Sequence, residues 1–138
     1  MIAYLDSSVV LRVVLQERSA LKEWRRIRTG VVSALVEVEC LRTLDTLRLR
    51  GSLDDERLAE RRGALFAFLA KQDVVEVSRV VLDRAGQPMP VPLRTLDAIH
   101  LATALLWRED ESPDIVMATH DGSLGLAAGA FGMKVIGV

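Results

Sequence analysis

At 138 residues, 50% hydrophobic and 27% charged, the chain has the length and composition of one globular domain that closes a core without disulfide or metal staples. Cys40 is the only cysteine, which excludes an intrachain disulfide, and no C-x-x-C or Cys/His spacing points to zinc, so a reducing, cytoplasmic setting is expected. The formal net charge of -1 supplies no overall basic field for nucleic acid, no basic leader precedes the first apolar stretch, and no run approaches the roughly 18 apolar residues of a membrane span.

Ile2 to Leu5 reads as a short strand ending at Asp6, and Ser7 and Ser8 offer caps for an amphipathic helix to about Gln16. The spacing of Leu21, Trp24 and Ile27 predicts a second helix over Ala20 to Arg28, stopped by Gly30. Val31 and Val32 make a very short strand. Ser33 caps a helix with Leu35, Val38, Leu41 and Leu44 on one stripe, which Gly51 ends, and Ser52 with Asp55 forms a capping-box variant opening a helix to about Lys71. These two helices are expected to form an antiparallel hairpin. Val74 to Val77 reads as a strand, Ser78 to Ala85 as a short helix, and Gly86 to Pro92, with its prolines, as a loop. Thr95 to Trp107 is strongly periodic, Ile115 to Thr119 is a buried strand, Ser123 to Ala130 a small helix, and Val135 to Val138 a last strand. Strands alternating with helices imply crossover connections, hence a mainly parallel sheet covered on both faces.

In such a sheet, sites form beyond the carboxyl ends of the strands. That rule selects Asp6, after the first strand, and Asp121, after the strand ending at Thr119. Asp97 lies in the first turn of its helix, and Glu39, less than two turns into its own, can reach back to the same edge. Each acid also has an ordinary explanation: Asp6 a turn or cap, Asp97 a favourable charge at a helix N-terminus, Glu39 a solvated helix residue like Glu37, Asp121 an Asx turn. Their convergence separates the readings. At ~4 Å and an effective dielectric near 20, each like-charged pair costs about 4 kcal/mol. A hard divalent cation offsets that cost, since Mg²⁺ or Mn²⁺ prefers carboxylate and water oxygens. The arginine groups Arg25, Arg26, Arg28 and Arg57, Arg61, Arg62 have forks that suit phosphate, but groups of this kind are more often solvated helix faces.

The D-S-S after the first strand, S-A-L-V-E-V-E-C-L, R-T-L-D-A-I-H-L-A-T-A and T-H-D-G-S-L, in that order, resemble the PIN-domain nucleases, specifically the VapC-type toxins of bacterial toxin–antitoxin pairs; the resemblance runs from Met1 to Val138. It implies a PIN-like three-layer α/β/α fold, a single domain over 1–138, with a mainly parallel central sheet of four to five strands. It also implies an endoribonuclease dependent on Mg²⁺ or Mn²⁺, cleaving RNA to leave a 5′-phosphate and a 3′-hydroxyl. The family's metal-coordinating acids fall on Asp6, Glu39, Asp97 and Asp121, with Asp6 and Asp97 as main direct ligands and Glu39 and Asp121 holding metal-bound water or a second ion. Ser7 and Thr119 match polar positions around the substrate, and Arg94 is a phosphate contact. Glu37 stands where the family more often has an apolar residue, so the ligand is Glu37 or Glu39; counting from Ser33 favours Glu39. A homodimer, a small VapB-like antitoxin and no membrane complete what the resemblance implies.

His100 and His120 invite a general-base reading, which metal chemistry makes unnecessary; His100, one turn from Asp97, reads as structural. Three rivals are weighed. A phosphoacceptor receiver domain needs an acidic pair after the first strand and an Asp after the middle one, where this chain has serines after Asp6 and Ser78 after Val77. A haloacid-type phosphatase needs a second Asp at the position of Ser8. An inactive PIN fold kept for RNA or protein binding is opposed by the presence of all four acids.

Overall fold

The computed structural model describes residues 1–138. Five strands, β1 (Ile2–Leu5), β2 (Thr29–Ser33), β3 (Asp73–Val75), β4 (Val116–Ala118) and β5 (Val135–Ile136), form one sheet in the order β3-β2-β1-β4-β5. Every pairing is parallel; β1 is central, with Tyr4 beside Val31 of β2 and Met117 of β4. Six helices connect the strands: α1 (Ser7–Val14), α2 (Leu35–Leu49), α3 (Asp55–Leu69), α4 (Arg79–Ala85), α5 (Thr95–Asp110) and α6 (Gly122–Ala130).

Side chains alternate across a strand, so a sheet buried on both faces needs apolar residues at successive positions. Ala3, Leu5, Val32, Val116 and Ala118 face a core completed by Val9, Val10 and Val14 of α1, Val36 and Cys40 of α2 and Leu65 of α3. Tyr4, Val31 and Met117 face the other way, toward Leu101, Ala104 and Leu105 of α5 and Leu124, Ala127 and Ala128 of α6. Val81 of α4 packs outside on Ile99 and Ala102 of α5. Helices thus cover both faces, giving the expected three layers. Gly30 lies where β2 passes β1, and a Cβ there would crowd the ends of the Leu5 and Gln72 side chains.

Three local expectations are corrected. Ala20 to Arg28 is a series of turns with a single 3-10 turn at Trp24–Arg26. A spacing of three suits the three-residue turn of that helix as well as an α-helix, and Leu21 and Trp24 are still drawn inward, Trp24 stacking on Phe68 at 5.6 Å between ring centroids. Ser52 does not cap α3: Gly51, at φ +78, turns the chain, and Asp54 accepts the Arg57 N–H at 2.8 Å. Ser7 and Ser8 lie inside the first turn of α1, whose N-cap position is Asp6. Ser33 does accept the Leu35 N–H at 3.1 Å, and Ser78 caps α4.

Candidate active site

From β1 the chain crosses to β2 and β3 on one side, then returns to β4 on the other. Connections therefore leave β1 and β4 in opposite directions, and a crevice opens at their carboxyl ends. Asp6 follows β1, Asp121 follows β4, Asp97 enters from the first turn of α5, and Glu39 from the second turn of α2.

Asp6 is only 4% exposed, with its backbone N–H bonded to Ala118 O at 3.0 Å as the pairing of β1 with β4 ends. Its Oδ2 accepts from Ser8 Oγ at 2.7 Å and from Thr119 Oγ1 at 2.9 Å. Thr119 Oγ1 in turn accepts the Asp121 N–H at 2.9 Å, and Asp121 Oδ1 accepts the Leu124 N–H at 3.0 Å to cap α6. Ser8 Oγ also accepts the His120 N–H at 3.0 Å. Gly137, at φ +101, holds β5 so close that a Cβ would sit 2.4 Å from Thr119 O. Thr119 was expected to face substrate, but it is fully buried and its hydroxyl is taken up by Asp6 and Asp121. It joins the two acids.

Glu39 is half-buried; its Oε1 accepts from His100 Nε2 at 2.6 Å, and Ser7 Oγ points at its Oε2 from 3.5 Å. Glu37 is exposed and borders a separate hollow with Ser33, Leu69 and Glu76. Geometry thus brings Glu39 and not Glu37 to the crevice. Asp97 makes no hydrogen bond through its side chain and lines an open hollow with Arg94, Asp121 and Ser123. Arg94, at the N-cap position of α5, is exposed and forms no ion pair.

The charges act on one another. Burial and then the negative charges of Asp121, Asp6 and Glu39 hold the Asp97 carboxyl above its usual range, although His100 works the other way. Burial would push His100 down, but its bond to Glu39 and the charges of Asp6, Glu39 and Asp97 outweigh that and raise it. Deeper in, burial together with Glu39 and Asp6 pushes the Cys40 thiol up to about 12.

As placed, no three Asp, Glu, His or Cys side chains enclose a metal position. The donor chemistry nevertheless fits a hard cation: hydrogen bonds occupy Asp6 Oδ2 and Asp121 Oδ1, leaving the other oxygen of each and both Asp97 oxygens without a hydrogen-bond donor. Asp97 and Asp121 line the open hollow, with Asp6 buried behind Thr119 and Glu39 joined to it through His100, an oxygen-rich set rather than a finished cage.

Reading the residues one at a time missed Ser8 and Tyr4. Ser8 looked like a helix cap, although a hydroxyl two residues after a site Asp is well placed to return to it. Tyr4 is the one phenol in an apolar strand, and a buried Tyr O–H generally needs a partner; here it bonds His100 Nδ1 at 2.7 Å.

An acid-lined crevice at the switch point of a parallel α/β sheet is thus the feature that defines the protein's class, and the PIN domain profile matches residues 3–122. The chain belongs to the PIN-domain family. It is 38% identical over 136 residues to Ribonuclease VapC46 of Mycobacterium tuberculosis, covering 96% of this chain and 95% of that protein. It is 31% identical over 138 residues to Ribonuclease VapC35 of the same species, covering 96% and 94%. Among solved structures, VapBC2 from Rickettsia felis bound to a promoter DNA fragment superposes with a TM-score of 0.66 over 98% of this chain and 97% of that one, at 10% identity. A toxin–antitoxin complex from Klebsiella pneumoniae gives 0.63 over 86% of each chain, at 17% identity. At those identities the superpositions speak to fold alone.

Proposed function

We propose that the protein is a divalent-metal-dependent endoribonuclease, the toxin of a VapBC-type pair, which hydrolyses RNA phosphodiester bonds at the crevice between β1 and β4. The observation that carries this reading is Asp97, a half-buried carboxyl without a hydrogen-bond donor that is pushed upward by burial, Asp121, Asp6 and Glu39. A cation would offset that repulsion, and the open hollow that Asp97 shares with Asp121 and Arg94 offers it and a phosphate a place to bind. The likeness to two proteins named as VapC ribonucleases supports the substrate class.

Asp6 and Asp97 are the main direct ligands in this proposal, with Asp121 and Glu39 holding coordinated water or a second ion. A bound Mg²⁺ or Mn²⁺ supplies Lewis-acid polarisation of the phosphodiester and activation of water. The chain's own residues do the rest. Thr119 and Ser8 hold Asp6 so that one oxygen stays free. Arg94, unpaired at the rim, meets a substrate phosphate, and Ser7 stands beside Glu39. A VapB-like antitoxin as inhibitor, a homodimeric assembly and a cytoplasmic location belong to the same reading; no helix is long and apolar enough to cross a membrane.

The test is RNA cleavage by purified protein. Structured RNA is cut with Mg²⁺ or Mn²⁺ and not in EDTA, and Asp6→Asn or Asp97→Asn lowers the rate by more than about a hundredfold while the far-UV circular dichroism is unchanged. Undiminished cleavage in EDTA overturns the metal mechanism.

A further inference from the structure

His100 is completely buried, yet its ring is bonded on both sides, and one of its partners is a carboxylate of the crevice. The chemistry of those partners orients the ring. A carboxylate oxygen accepts, so Nε2 is the nitrogen that donates to Glu39 Oε1 at 2.6 Å. On the other side Nδ1 meets the Tyr4 hydroxyl at 2.7 Å, a group that burial and the nearby charge of Asp6 keep protonated and that can donate to or accept from the ring. The same Nε2 lies 3.8 Å from Asp6 Oδ1, so one proton stands between oxygens of two acids.

This chain of contacts joins three elements that are distant in sequence. Tyr4 is on central strand β1, two residues before Asp6. His100 is on α5, one turn beyond Asp97. Glu39 is on α2, in the opposite layer. A half-buried glutamate without such a partner would turn toward water, because the side chain has three rotatable bonds and little else to hold it. Ser7 Oγ, at 3.5 Å, is too distant to fix it.

We propose that His100 is a positioning residue: anchored through Nδ1 by Tyr4, it clamps Glu39 through Nε2 at the crevice beside Asp6 and so makes Glu39 available to the metal. The inference rests on the nuclease reading above. Carboxylates that ligate metals are commonly held in this way by a partner, and losing the partner costs about 10 to 100-fold in metal affinity.

Two amide replacements separate positioning from packing. The side-chain nitrogen of Gln reaches the place of Nε2 and can still donate to Glu39, whereas that of Asn reaches only the place of Nδ1. Mn²⁺ affinity is measured by calorimetry on the wild type, His100→Gln, His100→Asn, Tyr4→Phe and Asp97→Asn, with circular dichroism to check folding. The expected result is affinity within a few-fold of wild type for His100→Gln and a loss of about 10 to 100-fold for His100→Asn. Tyr4→Phe keeps the shape of the ring and removes the anchor at Nδ1, and is expected to fall between them. In cleavage assays the losses appear in kcat with KM unchanged. Equal affinities in the Gln and Asn variants, whether both high or both low, overturn the positioning role while leaving the nuclease reading intact, provided that Asp97→Asn has lost Mn²⁺. If the wild type binds Mn²⁺ no better than Asp97→Asn, the nuclease reading fails and the inference fails with it.

Discussion

Asp6 and Asp97 border the same crevice and are held in opposite ways. Asp6 is nearly inaccessible and receives two hydroxyl donors, from Ser8 and Thr119. Asp97 receives none, opens onto solvent beside Arg94, and is pushed upward by its acidic neighbours. One side of the crevice is complete as folded protein, and on the other the carboxyl has neither a hydrogen-bond donor nor an ion pair. The contrast teaches where the proposed cation would contribute most: it would relieve repulsion at Asp97, while at Asp6 it would take an oxygen that the fold has already oriented.

The largest effect that would sharpen this contrast is metal-dependent stabilisation. At an Mn²⁺ concentration about a hundred times Kd, mass action on the native state adds about 2.7 kcal/mol. A thermal melt should show a corresponding rise in Tm for the wild type and almost none for Asp97→Asn; an equal rise in both breaks the assignment of Asp97. Next in size is the fastening of Asp6. Thr119→Val keeps the shape but removes the hydroxyl that serves Asp6 and the Asp121 N–H. Leaving those buried groups unpaired is expected to cost about 1–3 kcal/mol in a denaturant titration, and to lower cleavage as well.

Smaller, but of opposite sign for the two acids, is the effect of neutralising them without metal. The raised carboxyl of Asp97 means that the native state binds its proton more tightly than the unfolded chain does, so native stability falls as pH rises past the ordinary value of 3.8. Metal-free Asp97→Asn should therefore melt higher than wild type at pH 7, with the gain vanishing in acid. Asp6→Asn turns two charge-assisted hydrogen bonds into ordinary ones and should lose about 1 kcal/mol under the same conditions. A gain in both variants would mean that the two acids are equivalent. The smallest effect is that of Glu37→Gln: exposed and outside the crevice, it should leave stability within about 0.5 kcal/mol and cleavage unchanged.

The strand and helix order was legible because apolar runs and periodic stretches report local geometry directly. The positions of Asp6 and Asp121 followed from the rule that parallel sheets place their sites at strand ends. What escaped depends on contacts between distant segments. Thr119 and Asp6 are 113 positions apart, so nothing near either residue announces that one hydroxyl holds the other's carboxylate. His100 read as structural, and it is buried, but its bond to Glu39 requires α2 and α5 to meet at the sheet edge. The stretch Ala20 to Arg28 was misread because apolar residues three apart fit two kinds of helix.

The central strand carries a temporal consequence. Residues 2 to 5 are made more than a hundred positions before one of their two neighbours, β4, which begins at Val116. Until then Asp6 lacks both its backbone partner at Ala118 and its hydroxyl donor at Thr119. Because domains fold as units and pairings of high sequence separation form late, the crevice closes only after β4 has been made. A chain cut short before residue 119 would carry three of the four acids and lack both the strand and the hydroxyl that fasten Asp6.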